Sequence, residues 1–201
     1  MAAVEDRPRR GRGRRPADQV RDEILEAAGD LLFVEGMASF TIDKVAARSG
    51  ASKMTIYKWW PSKGALALDG YFHRVEEHLQ FPDSGDIEAD LRAQLHAFLA
   101  VIKDSPAGSV IAELIGQAQS DPDLKDAFLQ RYSSPRRALA VSTMETAKER
   151  GQLRLDLDPE TVVDQLWGAC YHRLLIPDQP LTPEFADALV DNLFGGITPR
   201  G

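Results

Sequence analysis

Apolar residues recur at three- and four-residue steps along most of the chain, the spacing that places them on one face of an α-helix. Val20, Ile24, Leu25, Ala27, Ala28, Leu31 and Leu32 form the first stripe, opposite Arg21, Asp22, Glu26 and Asp30. Gly36 is the expected end of that helix. Thr41 reads as the N-cap of a short second helix, Ile42 to Ser49, closed by a turn at Gly50. Ser52 caps a third short helix, Lys53 to Trp59. Pro61 stops it, and Ser62 caps a fourth that starts at Lys63 and runs towards Leu79. After the break at Phe81-Pro82-Asp83-Ser84-Gly85, helical stretches are predicted at about 86–103, 107–119, 122–150, 159–175 and 183–194. Proline and glycine punctuate them. Ser133-Ser134-Pro135 is the place where the long 122–150 stretch would kink. Leu153 to Leu157 alternates like a strand but has no partner, and reads as an extended loop. The predicted fold class is all-α, about nine helices with no sheet.

Length and composition fit this picture. The 201 residues are 43% hydrophobic and 27% charged, ordinary for a soluble globular chain. No apolar run approaches the roughly 20 residues of a membrane span, and no secretory leader follows the N-terminal arginines. A cytoplasmic protein without membrane partners is the expectation. The single Cys170 excludes an internal disulfide and a cysteine zinc site. It reads as a packed thiol, with redox sensing the alternative if Arg173 or His172 lowers its pKa. His96 and His172 are too isolated to suggest a metal, and no cofactor is indicated.

The net charge of −7 argues at first against nucleic acid, but its distribution reverses that. Residues 1–64 carry 12 basic and 9 acidic side chains; residues 65–201 carry 12 and 22. A basic head on an acidic body suits a head that meets phosphate. Six arginines crowd residues 7–15 among Pro8, Gly11 and Gly13, and residues 1–16 read as a disordered arm. Its Arg10, Arg12, Arg14 and Arg15 suit insertion into a narrow minor groove; a solubilising tail is the alternative.

The stretch from Phe40 to Leu68, FTIDKVAARSGASKMTIYKWWPSKGALAL, carries the chemistry. A short helix, a glycine turn and a second short helix make a helix-turn-helix, whose second helix enters the major groove. Val45, Ala46, Ala51 and Ile56 brace the pair, and Ala47, Gly50 and Ala51 allow close approach. Ser52, Lys53, Thr55 and Lys58 are left to face DNA. Trp60 reads as core. Trp59 fits either core or surface, and Lys44 and Lys58 fit either a solvated face or DNA contact.

Over residues 19–72 the pattern resembles the DNA-binding region of the TetR (tetracycline-repressor-like) family, with many spaced positions agreeing at once. The resemblance implies that Lys53, Met54 and Thr55 meet bases or adjacent phosphates. It also implies that Tyr57 and Trp59 donate to phosphate. Lys63 would attract phosphate at a helix start, and Thr41 and Ser52 would touch phosphate as well as cap. Met54 departs from the small residue usual there.

The resemblance divides the chain into the arm 1–16, a DNA-binding domain 17–64 and a helical effector-binding and dimerisation domain 65–201, linked by the fourth helix at about 63–79. It implies a homodimer on double-stranded operator DNA, a small-molecule effector, and no enzyme activity. Two stripes suit the dimer interface, with packing inside the chain as the equal alternative. One carries Val163, Leu166, Cys170 and Leu174; the other carries Phe185, Leu189 and Leu193. Phe98, Leu114, Phe128, Tyr132, Trp167, Tyr171 and His172 are candidates to line an effector pocket. The expected function is a repressor released from a pseudo-palindromic operator by a small hydrophobic effector. The rivals are an architectural DNA binder without effector, and a helical ligand-binding protein or enzyme with an incidental basic head.

Overall fold

The computed structural model describes residues 15–103 and 106–196, and among these every regular element is helical. Helix α1 spans Ala17–Ser39 and carries Gly36 at φ 73°, a left-handed position where its regular turns end. Helices α2 (Ile42–Ser49) and α3 (Lys53–Trp59) follow, separated by Gly50 at φ 66°. Helix α4 (Lys63–Val75) passes into a 3₁₀ turn, Glu76–Leu79. Helices α5 (Ile87–Lys103) and α6 (Ala107–Ala118) come next. The rod α7 covers 122–149: an α-helical Pro122–Phe128, a π turn Leu129–Ser133 and an α-helical Ser134–Glu149. The rod α8 covers 159–175 in the same manner, with a π turn Asp164–Gly168 between Pro159–Val163 and Ala169–Leu175. Helix α9 is Pro183–Gly195. The segment 153–157 forms no strand.

The caps lie where the sequence puts them. The Thr41 hydroxyl accepts from the Lys44 amide at 3.2 Å, that of Ser52 from Thr55 at 3.0 Å, and that of Ser62 from Ala65 at 3.1 Å. Asp121, Asp158 and Thr182 cap α7, α8 and α9. Each such cap contributes about 1 kcal/mol, and short α2 and α3 depend on them because isolated helices of this length do not persist in water. The expected kink at Ser133-Ser134-Pro135 is instead the end of a π turn, in which the helix widens without breaking.

Packing is closest where α1 crosses α4. A β-carbon on Gly70 would lie 2.7 Å from that of Ala28, and one on Gly29 would lie 2.9 Å from the Gly70 carbonyl oxygen. Only glycine lets the two backbones approach so far. Buried apolar side chains run in one connected cluster from Ile24 to Val190. Helix α4 sits within it, packed on α1, α6 and the start of α7. The reading head and the helical body therefore share a core.

Candidate nucleic-acid interface and body cavity

Helix α3 has one buried and one free side. Ile56 is fully buried, and Val45 of α2 meets the same core. The following Trp60 is buried at 1% exposure, with its indole Nε1 donating to Asp69 Oδ2 at 2.7 Å. The opposite side presents Ser52, Lys53, Met54, Tyr57 and Lys58 to solvent. Met54 is 81% exposed and Tyr57 52%, values that packing within the chain does not explain. Thr55 is half-buried, its hydroxyl 2.9 Å from that of Ser52. Trp59 is also half-buried, edge-on to Trp60 with ring centroids 5.8 Å apart. Ala47, expected at the helix contact, is exposed instead.

The basic side chains around this face are mostly clasped. Lys53 pairs with Asp43, whose hydrogen bond and charge hold the ammonium above its ordinary range. Lys44 pairs with Glu35. Lys63 is exposed, and its ammonium reaches back to the Met37 carbonyl at 3.3 Å. Lys58 has no ion pair among the described residues. Thr41 is exposed at the start of α2. Arg15 differs from the expectation of a free arm: its guanidinium pairs with Glu23 and donates to the Gly50 carbonyl at 3.2 Å, which ties it to the α2–α3 turn. Arg10, Arg12 and Arg14 lie outside the described residues.

The body holds a cavity of about 200 Å³ between α5, α7 and α8. Of the candidates from sequence, Phe98, Tyr132, Trp167 and Tyr171 line it. The other three do not line it. Leu114 is buried elsewhere in the core on α6. Phe128 stands behind Tyr132, ring centroids 5.6 Å apart, without reaching the cavity. His172 is exposed on the outer side of α8. Sequence reasoning missed Phe81, Arg136, Arg137 and Asp164, which line the cavity as well. Only the tertiary fold brings the loop carrying Phe81 and the charged helix carrying the arginines to one place.

Both π turns open on this cavity: Tyr132 and Ser133 come from the first, Asp164, Trp167 and Gly168 from the second. Burial pushes the Tyr132 and Tyr171 phenols upward, so both stay neutral. Arg137 is held by Glu160 and Asp164. Asp69 of α4 accepts from both Trp60 and Arg131, the latter in the first π turn next to the cavity-lining Tyr132.

The proposed dimer stripes also divide. Leu166 and Cys170 are buried at 1% and 0%, and Val163 lines the cavity, so all three belong to this chain's interior. Cys170 is fully buried, and burial pushes its thiol up to about 12, the direction opposite to that of a reactive thiolate. Leu174, Phe185, Leu189 and Leu193 are half-buried. The solvent face of these helices carries Gln165, Gly168 and His172 on α8 and Ala188 and Asn192 on α9.

Comparison with known proteins agrees with both halves. Residues 24–69 match the description of bacterial regulatory proteins of the tetR family, and residues 81–193 match the tetracyclin repressor-like C-terminal domain. The uncharacterized HTH-type transcriptional regulator YdeS of Bacillus subtilis (strain 168) is 37% identical over 187 residues, covering 92% of this chain and 93% of that protein. The DNA-binding transcriptional repressor TetR of Mycobacteroides abscessus is 29% identical over 173 residues, covering 85% and 89%. The crystal structure of the TetR family transcription regulator SCO0332 superposes with a TM-score of 0.85 at 57% identity, covering 90% of this chain and all of that one. With an outward-facing recognition helix and family matches over head and body alike, the chain belongs to the TetR family of helix-turn-helix transcriptional regulators.

Proposed function

We propose that this regulator acts as a homodimeric repressor, released from a pseudo-palindromic operator when a small, mostly hydrophobic molecule occupies the body cavity. The observation that carries the DNA-reading role is α3 itself. Its apolar side is fixed in the core, while Lys53, Met54, Tyr57 and Lys58 point away from it. Thr55, half-buried beside Ser52, lies at the edge of that face. Lys53, Met54 and Thr55 occupy the start of the helix, where side chains reach base edges. Thr41, Ser52, Tyr57, Trp59 and Lys63 flank it as phosphate contacts. The arm with Arg10, Arg12 and Arg14 adds salt-sensitive affinity.

The Asp69 junction supplies a route from cavity to helix. A ligand that shifts the first π turn moves Arg131, and with it the carboxylate that anchors Trp60 at the end of α3. Release needs a ligand that favours one arrangement over the other; tight binding to both would change nothing. Two-fold pairing through α8 and α9 would set two short recognition helices on successive major grooves.

Selecting bound sequences from a random DNA pool with the full chain tests the reading. Enriched sites are expected to be inverted half-sites spaced by about one helical turn, roughly 34–36 Å. A pool that returns with no shared sequence at any salt concentration counts decisively against it.

A further inference from the structure

The cavity's chemistry restricts what can fill it. Its walls are aromatic, with Phe81 against Trp167 at 6.4 Å between centroids and Phe98 against Tyr171 at 5.4 Å. Flat rings add to such arrays in stacked or edge-on contact. At about 200 Å³ it is of the same order as an apolar cavity of about 150 Å³ that accepts benzene. One small ring system fits; a drug-sized molecule does not.

The polar groups are cationic and donating. A guanidinium has five N–H donors. Arg136, half-buried in the wall, spends one on the Leu79 carbonyl at 2.6 Å. It has no carboxylate partner among the described residues, whereas its neighbour Arg137 has two. Arg136 lies close enough to Tyr132 and Tyr171 for its charge to act on both phenols. The one acid in the wall, Asp164, is neutralised by Arg137. A cationic ligand would meet Arg136 without a counter-charge, and a neutral one would leave it unanswered.

We propose that the body cavity takes a small, flat, singly anionic ligand, an aromatic carboxylate in class, with the acid group on Arg136 and the ring between the aromatic walls. The inference rests on the reading of this cavity as the effector site. Arg136 would be the specificity-determining residue, because a charge-assisted hydrogen bond is among the strongest a small ligand can make. The Tyr132 phenol beside it lies in the π turn that leads to Arg131 and Asp69, so the acid group would bind at the start of the route to α3.

Calorimetric titration of the full chain with naphthalene-2-carboxylate and its neutral isostere naphthalene-2-carboxamide tests the proposal. The carboxylate should bind about tenfold tighter or more. Arg136→Gln should abolish that preference, and Arg136→Lys should keep it; urea unfolding of both variants checks that they are folded. If Arg136→Gln does not fold, the pair of ligands on the unaltered chain still decides. Equal affinity for the two, binding of neither at millimolar concentration, or a preference that survives in folded Arg136→Gln overturns it. A selected operator fragment then separates the two readings. A carboxylate that binds with the expected preference yet leaves operator binding unchanged upholds the ligand class and removes the effector role.

Discussion

Asp69 joins three parts of the molecule through one carboxylate, whose side chain is 10% exposed. It satisfies the buried Trp60 indole and the Arg131 guanidinium, with Arg21 at 3.8 Å. Asp69→Ala leaves a buried N–H without an acceptor, at a cost of about 1–3 kcal/mol, which urea unfolding would measure. The same variant should bind cavity ligands normally but respond to them less on DNA; an undiminished response would show that coupling runs elsewhere. Tyr57 has a different role at the same scale. Its hydroxyl stands free on α3, so Tyr57→Phe should weaken binding to all sites by about tenfold, the worth of one good hydrogen bond to a charged group, without changing base preference. A binding-site selection that shifted in sequence would reassign Tyr57 to base reading. Lys53 and Met54, nearer the helix start, are the positions where such a shift is expected.

Among the elements, the α1–α4 crossing sets the geometry of the head. Gly70→Ala drives a methyl to 2.7 Å from the Ala28 β-carbon, inside any real contact distance. The helices must part, and a loss of about 1–3 kcal/mol is expected in chemical or thermal unfolding. Helix starts, the Gly36 and Gly50 turns and the outward side of α3 were legible in the sequence, because caps, glycines and a 3.6-residue period are local signals. The π turns were not. A π turn leaves no mark in the hydrophobic period, and only the packed structure shows that Tyr132 and Trp167 are re-aimed into one space. Leu166 and Cys170 show the same limit: periodicity identifies an apolar face but not whether the chain's own core or a second copy covers it. Nothing in the sequence marks Arg136, and only the approach of α5 and α8 makes it a wall of a cavity.

For the whole molecule, pairing decides whether recognition works at all. A single α3 of seven residues reads too few bases alone, and a two-fold partner makes the second contact intramolecular. Ala188 lies exposed in the middle of α9, on the side turned from α5. Ala188→Glu should yield monomers by sedimentation and lower operator affinity on the order of a hundredfold or more, with the helical fold intact. A dimer that persists would place the interface on another face.

The continuous apolar interior from Ile24 to Val190 has a practical corollary for anyone recombining such regulators. Gly64 leaves room for the Leu124 side chain, and Asp69 reaches across to Arg131, so the seam between reader and sensor is a fitted joint with no spare linker. A hybrid cut after α3 would inherit a groove with nothing to fill it. A workable exchange has to carry α4 together with the first three turns of α7, or redesign both sides of the seam at once.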